Sequence, residues 1–155
     1  MLIRPATPED LPALAALCAD HARYERSGPV AADLADRLRP ALFGPSPRLA
    51  ALVLAGPDAE RSPDPDAGCE PATLAGYATW SREFSTWDGA EYTHLDCLYV
   101  DQAHRGGGHG RRLIEAVIAA VEGPLQWQTP DWNTGAQRFY QRLGARGSAK
   151  IRYSL

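Results

Sequence analysis

The densest group of residues able to do chemistry lies in Leu95 to Leu113, reading LDCLYVDQAHRGGGHGRRL. Gly106, Gly107, Gly108 and Gly110 supply backbone without Cβ atoms, free to take positive φ and to lie close against a ligand. Ahead of them Leu95, Cys97 and Tyr99 alternate with Asp96, Leu98 and Val100, which predicts a strand. Behind them Leu113, Ile114, Val117, Ile118 and Val121 recur at helical spacing. Strand, glycine-rich turn and helix N-terminus together aim unpaired N–H groups and the positive end of a helix dipole at one place. That suits a phosphate or pyrophosphate. Arg105, Arg111 and Arg112 add to the preference for an anion. Spacing excludes two familiar phosphate loops. No lysine stands where a P-loop needs one, and the sixth position of Gly-x-Gly-x-x-Gly falls on Arg111 or Leu113.

Proton chemistry has fewer candidates. Glu25 and Asp96 are carboxylates that could attract a cation and take its proton. A solvated surface acid is an equal reading for Glu25, whereas Asp96 stands inside an apolar strand, where that reading is harder to sustain. Tyr140 lies at helical spacing from Ala136 and Leu143, so by position alone it reads as a buried structural tyrosine. His94 falls in a strand and His104 and His109 flank the glycines, which suits structural or phosphate-side roles; His21 reads as a helix-end residue. Trp80 and Trp87 would either cover the methylene stem of an amine or pack in the core and a hairpin. Cys18, Cys69 and Cys97 lack metal spacing and read as reduced thiols, with Cys18 in the core.

These groups need a scaffold, and 155 residues suffice for one domain spanning 1–155 with a single core. A formal charge of −3 gives no basic field for nucleic acid. The longest apolar run, Leu49 to Ala55, is too short to cross a bilayer and nothing resembles a signal peptide, so a cytoplasmic location without membrane or metal is expected.

In chain order, Leu2 to Arg4 reads as a first strand. Thr7-Pro8-Glu9-Asp10 supplies a cap, a proline at the first helical position and a returning acid, and the helix runs to about His21. A second helix covers about Val30 to Leu42, with Asp33 and Arg37 one turn apart, and ends at Gly44-Pro45. Strands follow at Arg48 to Ala55, Thr73 to Arg82 and Tyr92 to Val100. The first pair is joined by an acidic, proline-rich loop over residues 56–72, the second by a turn from Glu83 to Glu91. After the central helix, Gly123-Pro124 is a stop and Leu125 to Thr129 a strand. Asp131 to Thr134 opens a helix closed by Gly144, and Lys150 to Leu155 is a last strand. The order β-α-α-β-β-β-α-β-α-β predicts an α/β domain with a mixed sheet.

Arg105-Gly-Gly-Gly-His-Gly110, an Arg-x-x-Gly-x-Gly run behind Tyr99-Val100, resembles the acyl-coenzyme A pyrophosphate loop of the GNAT acetyltransferases. Trp132-Asn133, Phe139-Tyr140 and Leu143-Gly144-Ala145 resemble the second half of that family's signature. A narrower likeness to the diamine and polyamine branch, the spermidine/spermine and thialysine N-acetyltransferases, rests on His21 to Glu25, Ala41 to Pro45, Phe84 to Trp87 and Leu95 to Val100.

The resemblance implies a GNAT fold with a mostly antiparallel sheet and flanking helices, and acetyl-coenzyme A as co-substrate. It also implies a small primary amine as acceptor (a diamine, polyamine or lysine-like amino acid) and a homodimer. Leu98, Tyr99 and Val100 would then offer backbone groups to the pantetheine arm. Arg105, Gly106, Gly107, Gly108, His109, Gly110 and Arg111 would cradle the pyrophosphate, and Asn133 would bind the cofactor. Tyr140 would be the general acid, and Tyr24, Glu25 and Asp96 would meet the cationic substrate. One departure bears on the acceptor. The branch commonly reads Leu-Glu-Asp-Leu where this chain has Leu95-Asp96-Cys97-Leu98, so negative charge is reduced at the amine end. Acetylation of an antibiotic or a protein N-terminus, and a non-catalytic acyl-coenzyme A sensor, are the competing readings.

Overall fold

The computed structural model describes residues 1–56 and 73–152. In chain order its elements are β1 (Leu2–Pro5), α1 (Leu11–Tyr24), α2 (Leu34–Phe43), β2 (Ala50–Ala55), β3 (Leu74–Ser85), β4 (Ala90–Val100), α3 (His109–Ala120), β5 (Leu125–Trp127) and α4 (Thr134–Arg142). The strands lie side by side as β1-β2-β3-β4-β5. The first four are antiparallel and β5 joins β4 in parallel, giving the mixed, mostly antiparallel sheet expected.

Each face of the sheet carries two helices, because β2 to β4 are apolar on both sides. On one face Leu11, Leu14 and Leu17 of α1 and Leu42 of α2 pack on Val53, Leu74, Tyr77 and Tyr99. On the other, Leu113, Ile114 and Val117 of α3 cover Leu52, Ala78 and Leu95, with Phe139, Tyr140 and Leu143 closing the margin. Each fully buried aliphatic side chain contributes about 1.5–3 kcal/mol relative to exposure. No helix among the described residues is long and apolar enough to cross a membrane.

Several boundaries move, for local reasons. Nothing in Ala22-Arg23-Tyr24 breaks a helix, so α1 continues past His21 and ends only at Tyr24. Arg26 follows with φ of 59°, a left-handed residue that redirects the chain. Helix α2 begins at Leu34, one turn later than its apolar pattern suggests; Val30 precedes it, and a turn closes with the Leu34 N–H on the Ala31 carbonyl (3.1 Å). The β3–β4 ladder extends to Ser85 opposite Ala90, shrinking the expected turn to Thr86-Trp87-Asp88-Gly89. Trp87 stands at that tip almost wholly exposed, while Trp80 packs against the α3 cluster. Ile118, assigned to the buried stripe of α3, is 54% exposed. The expected closing strand is not formed by Lys150 to Arg152, which pair with no ladder. Residues 153–155 and the acidic loop with Cys69 lie outside the described residues.

The entry to α1 is fixed by a buried ion pair. Asp10, 1% exposed, accepts from the Arg4 guanidinium at 2.6 and 2.8 Å and from the Thr7 N–H at 2.7 Å. Burial would raise the Asp10 carboxyl, but the Arg4 hydrogen bonds, the Thr7 amide and the Arg4 charge overcome it and hold its pKa below the usual carboxylate value. Such a group stabilises fully above its unfolded pKa of about 3.9, and that contribution is lost as pH falls through the lower folded value. Asp10→Asn should therefore cost about 2–3 kcal/mol in urea unfolding at pH 7. The gap from the parent protein should close in acid; a gap that widens there contradicts the assignment.

Candidate active site

The site begins with unequal strands. β4 pairs with β3 as far as Val100 opposite Gly76, yet with β5 only at Thr93, His94 and Leu95. From Asp96 to Val100 its other edge has no strand beside it among the described residues. A bulge marks the start of this open edge: Thr79 faces Cys97 and Trp80 faces Leu95, so Asp96 has no partner on β3. Gly76 lets the two strands meet here, since a Cβ at that position would lie 2.6 Å from the Tyr99 carbonyl oxygen.

The open edge runs directly into the glycine turn. Asp101 ties it down, donating its N–H to the Ala75 carbonyl (2.8 Å) and accepting from the Ala103 N–H (2.9 Å). Gly106 and Gly108 have φ of +87° and +74°, with open space where a Cβ would stand. Glycine is needed there for backbone conformation, not for room. The first α3 bond runs from the Arg112 N–H to the Gly108 carbonyl (3.1 Å), which leaves the amides of His109, Gly110 and Arg111 without a partner among the described residues at the helix N-terminus. A Cβ at Gly110 would stand 3.7 Å from Phe139 Cζ, so α4 runs alongside α3 here. Strand edge and turn together present an extended row of backbone groups ending in an anion site, a shape that fits an amide-bearing arm with a pyrophosphate.

The arginines take roles that spacing did not reveal. Arg105 Nε donates to the Val100 carbonyl (2.9 Å), and its guanidinium lies over Tyr24 at 4.5 Å and Tyr99 at 5.4 Å. It braces the turn against the sheet. Arg111 pairs with Glu115 on the exposed surface (2.7 Å) and Arg112 donates to the Met1 carbonyl (3.1 Å). Asn133 is buried, and its Oδ1 accepts the Ala136 N–H (3.1 Å) as the cap of α4. Tyr24 stands beside this group, its hydroxyl 3.5 Å from Asn133 Oδ1 and its ring 6.1 Å from Trp132, whose other neighbour is Arg26 at 4.3 Å.

A cavity of about 320 Å³ opens on the α1–α2 face beside the bulge. His21 and Cys18 of α1 and Glu25, the residue that caps its end, line it together with Tyr77, Thr79, Asp96 and Cys97 of the sheet. His21 Nδ1 is 3.0 Å from the Tyr77 hydroxyl and Nε2 is 3.5 Å from Glu25, while its ring stacks on Tyr99 at 4.9 Å. Burial lowers the His21 pKa against the opposing pull of Glu25, so the ring is neutral at pH 7. Burial also pushes the Cys97 thiol up to about 12 and raises the thiol of Cys18, which makes neither a nucleophile.

Tyr140 lies on the other face, at the end of β5. Its ring packs against Trp127 (5.1 Å) and Phe139 (5.2 Å), and burial, then the charges of Glu25 and Cys97, push its phenol up to about 12. It is a neutral O–H throughout the physiological range. The structure thus sets Glu25 and Asp96 on the cavity, packs Tyr140 on Trp127 where β5 ends opposite Leu95, and sends Tyr24 to the turn side with Arg105 and Asn133. Neither Trp80 nor Trp87 lines the cavity. His21 was not singled out for this site, although Leu14, Cys18, His21 and Glu25 recur at helical spacing and form one stripe once α1 is carried to its true end.

Residues 36–145 match the family model described as Acetyltransferase (GNAT) family. Over 81 residues the chain is 35% identical to the blasticidin-S acetyltransferase of Streptomyces morookaense, covering 50% of this chain and 52% of that protein. The chain therefore spans about half the length of the curated relative it matches. A solved tetramutant protein of Bacillus halodurans superposes with a TM-score of 0.73 at 24% identity, both chains fully covered. A ribosomal-protein-alanine N-acetyltransferase of Brucella melitensis gives 0.64 at 18% identity, over 99% of this chain and 97% of that one. At such identities these structures share the fold alone.

The buried histidine supplies a direct check on the cavity. In an NMR titration His21 should show a midpoint below 6.5. Glu25→Gln removes a charge that raises this pKa, so the midpoint should fall further; an upward move would contradict the arrangement.

Proposed function

Because the chain belongs to the GNAT acetyltransferase family, we propose that it transfers an acetyl group from acetyl-coenzyme A to the primary amine of a small molecule. One observation carries the reading. The unpaired edge of β4 leads at one end into the glycine turn and at the other to Tyr140 and a cavity with two carboxylates.

On this reading the backbone of Leu98, Tyr99 and Val100 holds the pantetheine arm as an added strand would. The free amides from Gly106 to Arg111 hold the pyrophosphate at the helix N-terminus, while Arg105 fixes the turn and Asn133 the start of α4. The acceptor enters as an ammonium ion drawn by Glu25 and Asp96, and it must lose a proton before its lone pair can attack. That proton goes to Glu25, 3.5 Å from the neutral His21 ring, and from there to solvent. Attack forms the C–N bond and breaks the C–S bond. Glu25, having passed the first proton to solvent, takes the nitrogen's second, and Tyr140, which protonates the departing thiolate, regains its own from solvent. A phenol near 12 is a weaker acid than a thiol of about 8.5, so Tyr140 acts through proximity.

Segments such as Phe84 to Trp87 and the Tyr24-Glu25 pair support a diamine, polyamine or lysine-like acceptor, whereas the Streptomyces relative supports an antibiotic amine. The family likeness also supports a cytoplasmic homodimer. Tyr140→Phe should lower kcat in a thiol-release assay roughly a hundredfold while acetyl-coenzyme A affinity stays within a few-fold. Unchanged kcat would remove Tyr140 from the mechanism. Coenzyme A binding without thiol release on any amine would instead make this a sensor domain.

A further inference from the structure

The acceptor cavity has two unlike walls. Where α1 meets β4 it carries Glu25, Asp96 and the uncharged His21. Val30, Leu34, Leu38 and Leu49 also line it, with aliphatic side chains that are only half-buried, so their surfaces remain available to an occupant. The charges of α2 are turned elsewhere: Asp33 and Arg37 pair with each other on the exposed side (2.8 Å), and Asp36 and Arg39 are exposed. Among the described residues no lysine or arginine lines the cavity.

The geometry points to an acceptor with one ammonium group and an apolar substituent, a lipophilic monoamine and not a diamine, polyamine or amino acid. The inference rests on the acetyl-transfer reading for its chemistry but on the cavity walls for its specificity. An ammonium at the Glu25 wall finds two carboxylates, and the reaction removes its charge. A second ammonium set against Leu34 and Leu38 would lose hydration without a partner. An alkyl chain there gains about fourfold in affinity for each methylene it buries. An amino acid's carboxylate would meet Glu25 and Asp96 with no cation to receive it. The Cys97 thiol fits the same picture, since it leaves the sheet side with one carboxylate, Asp96, next to it in sequence.

The test compares n-hexylamine, 1,6-diaminohexane and lysine, the first two differing only by a terminal ammonium. Calorimetry with coenzyme A present and thiol release with acetyl-coenzyme A would be run on the full chain at pH 7.5. Hexylamine should bind at least tenfold more tightly than the diamine and more tightly still than lysine, with kcat/KM in the same order. Leu34→Glu should shrink or reverse the hexylamine preference by placing a carboxylate on the aliphatic wall; Leu38→Glu serves if the first variant loses its cooperative melt. A diamine or lysine bound as well as hexylamine by the parent protein overturns the inference, and so does no binding of any of the three. Hexylamine preferred in binding with no thiol released leaves the cavity's specificity standing and sinks the acetyl-transfer reading.

Discussion

The structure depends on a mismatch in strand length. β4 has eleven residues and β5 three, so more than half of one edge of β4 has no strand partner among the described residues. Unsatisfied main-chain groups are ordinarily removed from folds, because each loses water without gaining a hydrogen bond when something covers it. Here they are kept and made continuous with a second unsatisfied set, the first-turn amides of α3. Holding both in line requires Gly76 for the approach of β3, the positive φ of Gly106 and Gly108 for the turn, and Arg105 to bind the turn to the end of β4.

Either side of that edge the protein builds different electrostatics. The turn side combines a helix N-terminus with guanidinium groups stacked on Tyr24, Tyr99 and Trp132, which suits an anion. On the α1 side the cavity holds two carboxylates and a buried, uncharged imidazole, which suits a cation about to lose its proton. Tyr140 packs on Trp127 where β5 ends, held on the opposite face by the packing of α4 on the α3 cluster. On the proposed function the acyl donor would bind on one side of this edge and the acceptor on the other, to meet where β4 and β5 part.

The glycine turn, its flanking strand and helix, and the capping box before α1 were legible because local chemistry determines them: glycines for φ, alternation for the strand, Thr7 and Asp10 for the cap. Features set at a distance were not. The open edge depends on β5 stopping at Trp127, which no pattern within β4 announces. Asp96 looked like an acid trapped in an apolar strand, yet the bulge leaves it exposed at the cavity. Tyr24 and Glu25 are neighbours in sequence, and the end of α1 divides them between turn and cavity. Arg105 reads as an anion ligand by spacing, and the structure adds its bond to Val100 and its stacking on two aromatic rings, since the turn brings its guanidinium back over the sheet. His21 was hidden by ending the helix early.

Amide hydrogen exchange with and without coenzyme A tests the central claim most directly, because it reads the backbone groups themselves. Added coenzyme A should slow exchange in two connected segments, Leu98 to Val100 and Gly106 to Arg111, and leave β1 and β2 unchanged. Protection confined to another part of the chain, or none at saturating ligand, would contradict the account.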